Sequence, residues 1–274
     1  MRVILILVAI LILEACSQVA FTGRRQTQLI PIDTINSLSY SQYDEFLAAN
    51  KTLPDDAPET LLIRKIGTDI VESVKVYYKA NKMEKDLEKF NWEFNVVDSE
   101  QANAFCMPGG KVVFFTGIMD VAQNEDAMAV IMGHEIAHAL AHHGNERMSQ
   151  MVWAQLGMSA LDIALQEKPE QTRDMIMIAA GAGTQLGVML PFSRKHESEA
   201  DEIGLYLMTM AGYDPNQAAP FWERMAAQGG GAPPEFLSTH PGPDRRAENL
   251  ISLIPKAREY AAKYPVPNSS RNRK

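Results

Sequence analysis

Apolar residues recur at regular intervals along the chain and predict its helices and strands. In the first such region they return every fourth position, at Leu62, Ile66, Ile70, Val74 and Tyr78. This spacing marks one face of an amphipathic helix, which we expect to continue to about Lys89. The alternation of Trp92, Phe94 and Val96 with polar residues then predicts a half-buried strand, and the run KVVFFT at 111–116 predicts a second one.

The pattern after this second strand predicts helices only. Asn124 suits an N-cap, and Glu125 and Asp126 suit the positive end of a helix dipole. The apolar pattern of this helix runs through His143, with Gly144 as a C-terminal stop. Further helices are predicted at 146–166, 171–189, 194–211, 215–228 and 243–263. The predicted fold class is therefore one α+β domain that is mainly α-helical.

The segment 175–192 is uncharged throughout and long enough to raise the question of a membrane span. Its three glycines, together with Thr184 and Gln185, weaken that interpretation. We predict a helix buried in the core, with a membrane-facing helix as the alternative.

Composition excludes one broad class of function. The 274 residues are 46% hydrophobic and 22% charged, which is ordinary for a protein with a substantial core. The net charge of −8 argues against nucleic-acid binding, which depends on clustered Lys and Arg. The one basic concentration is SSRNRK at the C-terminus, and we predict that residues 265–274 are a disordered basic tail.

The N-terminus has the pattern of a targeting segment. Arg2 precedes an apolar run from Val3 to Leu13, and Cys16 follows closely. The run is too short to span a bilayer and resembles the core of a bacterial lipoprotein signal, so we predict a signal peptide at 1–15 and a lipidated Cys16. An uncleaved signal anchor and a simple secretory signal are the alternatives.

This interpretation has consequences for domain organisation and location. It predicts a lipid anchor and tether at 16–50 and a folded domain at 51–264. Ser17 after the cysteine favours the outer membrane over the inner membrane, with the protein facing the periplasm of the bacterial cell envelope. Cys106 is then a lone cysteine, most simply a small buried residue.

The stretch GHEIAHALAHH at 133–143 holds four of the six histidines. His134 and His138 are four residues apart and lie on one helical face, so both imidazoles can reach one ion. Glu135 stands next to them, close enough to touch a water bound to that ion. This is the H-E-x-x-H arrangement of zinc hydrolases. His142 and His143 are interpreted as near-site or solvated residues.

Zinc needs a third protein ligand from elsewhere. Ala141 and Gly144 occupy the places where a metzincin has glycine and histidine, so that subclass is excluded. Glu197 and Asp201 are four residues apart in SRKHESEADEIG, which suits one carboxylate aimed at a metal and one at the free nitrogen of a ligand histidine. Glu199 falls on the other side and is predicted to be solvated. The alternative for all these acids is a solvated surface face.

Four separated segments together carry a family resemblance: MGHEIAHALAHHGNERMSQ, NAFCMPGGKVVFFTGIM, SRKHESEADEIG and FLSTHPGPDRRAENL. They resemble the HtpX and CAAX-prenyl-protease group of gluzincin metallopeptidases, and most of all its lipid-anchored periplasmic and mitochondrial Oma-like branch. TGRRQTQLIP is also similar to the start of mature lipoproteins in that branch.

The resemblance implies a zincin-type metallopeptidase domain with a small β-sheet beside the H-E-x-x-H helix, and one Zn²⁺ per chain. It implies that His134, His138 and Glu197 are the zinc ligands and that Glu135 is the catalytic base. Asp201 matches the aspartate of the family's E-x-x-x-D pattern.

Two further residues lie where relatives keep a histidine and an arginine near the substrate, His240 and Arg246. His240 is either a donor to the developing oxyanion or a ligand that closes the resting site, with an ordinary loop histidine as the alternative. The resulting hypothesis is a zinc endopeptidase that acts on unfolded or misassembled envelope proteins, with KVVFFT as an edge strand that receives the substrate. A chaperone or binding lipoprotein of the same fold that does not cleave is the rival.

Overall fold

The computed structural model of the chain describes residues 16–185, 189–228, 235–240 and 245–267. The predicted signal peptide at 1–15 lies outside these residues, as does 268–274 of the predicted basic tail. Among the described residues the fold is mainly helical with two small sheets, which confirms the predicted class.

The strands form one hairpin near the N-terminus and one mixed sheet. Strands β1 (Cys16–Gln18) and β2 (Arg25–Thr27) pair antiparallel. In the mixed sheet β5 (Lys111–Phe115) lies between β3 (Glu93–Val97), its parallel neighbour, and β4 (Ala104–Met107), its antiparallel neighbour. The KVVFFT segment is therefore the central strand, with all five of its residues buried, and its prediction as an edge strand is wrong. The edge next to it is β4.

The helices account for most of the described residues. They are α1 (Ile32–Ala49), α2 (Pro58–Ala80), α3 (Thr116–Ala122), α4 (Glu125–Leu140), α5 (His143–Ala164), α6 (Glu170–Thr184), α7 (Leu190–Met210), α8 (Ala218–Ala227), α9 (Glu235–Thr239) and α10 (Arg246–Lys263). Short 3₁₀ turns at Glu84–Lys89 and Pro215–Gln217 complete them. The predicted helices near 59–89, 146–166, 194–211 and 243–263 are each present within a few residues, except that the first ends as a 3₁₀ turn.

Helices α4 and α7 pack against each other at the centre of the molecule. Nearly every residue of α4 is buried, because α2, α7 and the sheet surround it. The two helices meet through Gly133 and Gly204: a Cβ built on Gly133 would lie 2.7 Å from the backbone oxygen of Gly204. Only glycine on both sides allows this approach, so the contact fixes where the two helices stand relative to each other.

Helix α4 ends three residues earlier than the apolar pattern indicates. His142 adopts a left-handed backbone conformation, with φ of 53°. This residue turns the chain, so that His143 begins α5 and Gly144 lies inside that helix. The prediction of one helix through His143 with a stop at Gly144 is therefore wrong.

The segment predicted as a tether contributes a helix to the fold. Helix α1 buries Ile35 and Tyr43, and the ring of Tyr43 packs with Val97, Val113 and Phe115 of the sheet. The Tyr43 hydroxyl accepts a hydrogen bond from Asn95. Residues 32–49 thus belong to the body of the domain rather than to an extended linker.

Helices α5 and α6 form a hairpin with large apolar side chains in solvent. Helix α6 has no buried residue, and Met175 and Ile178 are 68% and 73% exposed. The prediction of a core helix at 175–192 is therefore wrong for the described part of that segment; residues 186–188 lie outside it. No helix in the described ranges has the length and apolar character needed to cross a bilayer.

Candidate metal centre

Four side chains bring donor atoms together beside α4. His134 and His138 extend from that helix, Glu197 from α7, and His240 from the turn after α9. One donor atom of each lies within 4.8 Å of the others. The Nε2 atoms of His134 and His138 are 3.1 Å apart, and Glu197 Oε2 lies 3.2 Å from His134 Nε2. His240 Nδ1 lies 3.3 Å from Glu197 Oε2.

The spacing of these atoms fits zinc. Four donors at about 2.0–2.1 Å from a tetrahedral zinc are separated from one another by about 3.3 Å. Imidazole nitrogens and a carboxylate oxygen are ordinary zinc ligands. Moreover, Glu197 Oε2 is buried and accepts no hydrogen bond from the described part of the chain. A buried carboxylate oxygen without a hydrogen-bond donor, beside three imidazole nitrogens, is what the binding of a cation would explain.

Burial and neighbouring charges set the protonation of these ligands in the absence of metal. Burial opposes ionisation of Glu197, but the histidines around it, His138 first, hold its pKa well below the usual range. Burial lowers the pKa of His138 to about 3. Burial opposes protonation of His134, but the hydrogen bond with Asp201 and the nearby Glu197 carboxylate outweigh it and raise the pKa to about 9. A metal ion bound at His134 Nε2 would therefore displace a proton at neutral pH.

Glu135 lies on the same helix with one oxygen fixed and the other unpaired. The backbone N–H of Cys106 in β4 donates to Glu135 Oε2 at 3.0 Å. Glu135 Oε1 is buried, lies 3.6 Å from His240 Nε2, and accepts no hydrogen bond within the described ranges. The carboxylate is thus held in place and keeps one oxygen available for a proton.

Behind His134 lies a carboxylate that is paired with an arginine. His134 Nδ1 is 2.9 Å from Asp201 Oδ1, and Arg246 donates to the same oxygen at 2.6 Å. The Arg246 guanidinium also stacks on Trp222 at 3.3 Å and donates to the backbone carbonyl of His240. Arg246 is buried, and the groups that it contacts lie around the four donor atoms rather than in solvent.

Behind His138 lies a longer chain of contacts, which the sequence did not reveal. His143 Nδ1 is 2.9 Å from His138 Nδ1, and His143 Nε2 is 2.9 Å from Glu199 Oε2. Arg24 donates from Nε to Glu199 at 2.7 Å. The prediction that Glu199 is solvated is wrong, because α5 and the N-terminal segment cover that side of α7. His142 is turned the other way, with its ring near Phe90.

A helical H-E-x-x-H face, a carboxylate from a second helix and a small sheet beside them define a zincin-type metallopeptidase domain. The family comparison agrees. Residues 69–254 match the model of peptidase family M48, and this chain belongs to that family. The predicted zinc cofactor and the predicted class of metalloendopeptidase are confirmed at the level of the family.

Three relatives of this chain are named as peptidases or proteases. The chain is 31% identical over 249 residues to the mitochondrial metalloendopeptidase OMA1 of Schizosaccharomyces pombe, covering 87% of this chain and 66% of that protein. It is 30% identical to human OMA1, covering 86% of this chain and 45% of that one. It is 31% identical over 167 residues to the beta-barrel assembly-enhancing protease of Escherichia coli, covering 58% and 33% respectively.

These comparisons correct one prediction. The chain was expected in a bacterial cell envelope, on the outer membrane and facing the periplasm. Several of the strongest likenesses are to mitochondrial proteins, of yeasts, a plant and human, and on this finding the predicted location is wrong.

Proposed function

We propose that this chain is a zinc-dependent endopeptidase that cleaves unfolded or misassembled proteins. The observation that carries the proposal is the buried Glu135 carboxylate beside four converging donor atoms. One oxygen of Glu135 is fixed by a backbone N–H, and the other faces the donors without a partner of its own. A protein that only stored a metal would need no such unpaired base.

In this proposal His134, His138 and Glu197 hold the zinc. Bound zinc lowers the pKa of a coordinated water and polarises the carbonyl of the peptide bond. Glu135 accepts the proton of the attacking water at Oε1 and returns it to the leaving amine. The hydrogen bond from Cys106 keeps Glu135 aimed at the place where that proton is transferred.

The surrounding residues divide between two roles. Asp201 orients His134 through Nδ1, and Arg246 holds Asp201 and the His240 carbonyl. The position of His240 Nδ1, 3.4 Å from His134 Nε2, supports its interpretation as a fourth donor in this conformation. Turned towards a substrate, the same imidazole would donate to the developing oxyanion.

The edge strand β4 is the place where we propose that substrate binds. It borders the central strand β5 on one side, and its Cys106 contacts Glu135 directly. An extended peptide that pairs with β4 would pass the base and be recognised through its backbone, with little dependence on sequence. This suits a protease for unfolded proteins, and the name of the E. coli relative, an assembly-enhancing protease, supports that substrate class.

We also propose that the chain is attached to a membrane through Cys16. The support is the apolar run before this cysteine and the resemblance of the segment to a lipoprotein signal. Residues 1–15 would then be removed, and 16–50, whose helix α1 packs on the sheet, would lead from the anchor into a domain that extends to 264. Mass spectrometry of the purified chain and of Cys16→Ala tests this, because an acylated N-terminal cysteine has a distinct mass.

The deciding experiment replaces the base and keeps the metal. Glu135→Gln keeps the size of the side chain and the acceptor for Cys106 N–H, so about one zinc per chain should remain bound. Cleavage of an unfolded test protein should fall by a factor of about 10² or more, because proton transfer loses its base. Zinc content by atomic absorption and cleavage on gels measure the two quantities.

Glu125→Gln, at the first residue of α4 in a partly exposed glutamate that pairs with Lys65, provides the matched control and should cleave like the wild type. Equal cleavage by Glu135→Gln and wild type would refute the mechanism. A wild type that binds zinc and an unfolded protein without cleaving it would instead support a chaperone of the same fold.

A further inference from the structure

The Nδ1 atoms of His134 and His138 have different hydrogen-bond partners. For His134 the partner is Asp201, which is itself paired with Arg246. For His138 the partner is another histidine, His143, followed by Glu199. The second arrangement is longer by one ring, and it ends on an arginine from the far N-terminal part of the chain.

The direction of hydrogen bonding along this chain is fixed by chemistry. A histidine that offers Nε2 to a metal carries its proton on Nδ1 and donates from there. His138 therefore donates to His143 Nδ1, and His143 must carry its own proton on Nε2. That proton is donated to Glu199 Oε2, an acceptor at 2.9 Å. In this row of hydrogen bonds from His138 to Glu199 every donor meets an acceptor, so only one tautomer of each ring fits.

The carboxylate at the end is held by the N-terminal segment. Arg24 donates from Nε to Glu199 and from its two terminal nitrogens to Glu146, at 2.7–2.9 Å. The Thr22 hydroxyl donates to the other oxygen of Glu199. All three charged side chains of this cluster are 12% exposed or less, so the pairing is little screened by solvent.

A second contact strengthens the same cluster. His196 on α7 is 2.9 Å from Glu146 Oε2, and its ring stacks on that of His143 at 4.3 Å. The His143 ring is therefore fixed by a hydrogen bond to Glu199 at one edge and by stacking on His196 at one face. A ring held in this way cannot turn to follow His138, so it restricts the rotation of His138.

We infer that His143, Glu199 and Arg24 are positioning residues for the zinc ligand His138, and that the segment around Arg24 is a working part of the metal centre. The inference rests on zinc ligation by His138 as proposed above. It gives a role to the TGRR segment, which precedes the matched family region at 69–254. It also gives a physical link between the proposed membrane tether and the site.

The test measures metal binding directly. Zinc affinity of the full chain and its variants is determined by competition with a chromophoric chelator, and Co²⁺ is substituted to record the visible absorption bands of a tetrahedral site. We expect His143→Ala to weaken zinc binding by a factor of about 10–100 and to alter the Co²⁺ bands. His143→Asn, which keeps an acceptor near the position of Nδ1, should recover most of the loss.

Arg24 and its neighbour Arg25 provide a matched pair of variants that tests the N-terminal contact. Arg24→Gln should weaken zinc binding by a factor of about 10, whereas Arg25→Gln, the same change at the exposed neighbouring position, should leave it unchanged. The effects of Arg24→Gln and His143→Ala should not add in the double variant, since both act through one chain of contacts.

A variant at another buried hydrogen bond distinguishes a general loss of stability from a specific loss of zinc affinity. Tyr213 donates to Asp69 at 3.0 Å, and neither residue is one of the four donors of the metal centre. Tyr213→Phe should lower the melting temperature and leave zinc affinity and the Co²⁺ bands as in wild type. If His143→Ala behaves like Tyr213→Phe, the inference is overturned.

A His138→Ala variant distinguishes an error in the proposed zinc ligands from an error in the positioning role. His138→Ala should lose zinc binding beyond any loss in His143→Ala. If His138→Ala binds zinc like the wild type, the ligand assignment itself is wrong. If His138→Ala loses zinc while His143→Ala and Arg24→Gln keep full affinity, only the positioning role is wrong.

Discussion

Buried charges at this site are stabilised in pairs. Asp201 and Arg246 are each about 7% exposed and lie 2.6 Å apart, so each neutralises a charge that could not be buried alone. Glu197 is different, because its Oε2 lies near histidine nitrogens and 3.7 Å from Arg246 Nη2 but accepts no hydrogen bond from the described residues. Among these carboxylates it is therefore the one whose burial a metal ion would stabilise.

We predict that removing the charge of Asp201 weakens zinc binding. Asp201→Asn keeps the shape of the side chain but leaves Arg246 without its counter-charge and weakens the bond to His134 Nδ1. Zinc affinity should fall by a factor of about 10–100, as measured by chelator competition.

The neighbouring acid on α7 serves as the control for that variant. Glu202 contacts Lys256 and the Tyr206 hydroxyl and does not reach the metal centre. Glu202→Gln should therefore bind zinc like the wild type. Equal affinity of Asp201→Asn and Glu202→Gln would remove Asp201 from the positioning role.

Helices α4 and α7 carry three of the four donors, so their separation sets the geometry of the site. The glycine contact between them has no spare room: a Cβ on Gly204 would lie 2.7 Å from the backbone nitrogen of His134. A side chain there would push α7 away and carry Glu197 from the histidines. The closeness of the helices is thus a condition for assembling the metal centre.

We predict that Gly204→Ala destabilises the protein by up to about 2 kcal/mol and weakens zinc binding. Overpacking typically costs about 1–3 kcal/mol, and the higher helix propensity of alanine offsets about 1 kcal/mol of it. Denaturant unfolding and chelator competition measure the two effects.

A glycine in open space provides the matched comparison. Gly157 in α5 has no atom within 4 Å of a built Cβ. Gly157→Ala should gain up to about 1 kcal/mol from helix propensity and leave zinc affinity unchanged. A stable Gly204→Ala with full zinc affinity would show that the helices can separate without harm to the site.

The molecule as a whole is assembled around the donors from distant parts of the chain. His134, Glu197 and His240 come from three separate elements, and Arg24 reaches the same region from the N-terminal hairpin. A ligand that bridges three elements stabilises all of them against unfolding. Metal binding and global stability are therefore coupled.

We predict that removal of zinc lowers the melting temperature. With free zinc at about 100 times its dissociation constant, the loaded protein gains about 2.7 kcal/mol, or about 5–10 °C for a domain of this size. Scanning calorimetry of the chelator-treated protein, before and after zinc is returned, measures the shift. The His138→Ala variant should show little or no shift, and a full shift in that variant would contradict the proposed ligand set.

The parts of the site that the sequence predicted share one property, which is local spacing. His134, Glu135 and His138 follow from the helical period, and Glu197 with Asp201 from the same period on another helix. The structure brings these two groups together at 2.9–3.4 Å. The parts it did not predict depend on turns and contacts between distant segments. His143 is directed by the left-handed turn at His142, and Glu199 is covered by the turn between β1 and β2, more than a hundred residues earlier.

The same distinction holds for the elements. The amphipathic helices were predicted from their periodicity, whereas the apolar α6 was assigned to the core because hydrophobicity alone cannot tell which neighbour covers a helix. The strand KVVFFT was recognised, but its place at the centre of the sheet depends on β4, which the apolar pattern did not predict and which pairs with it across the turn at 108–110.

The sequence by itself determined the helical class, the zinc-binding residue types and the residue proposed as catalytic base, because these follow from side-chain chemistry repeated at a fixed period along one helix. Tertiary structure alone decided which strand forms the edge, which acids are buried, and that Arg24 and His143 stand behind His138. Those outcomes depend on which surfaces exclude water from one another, and that is settled only when segments far apart in the chain pack together.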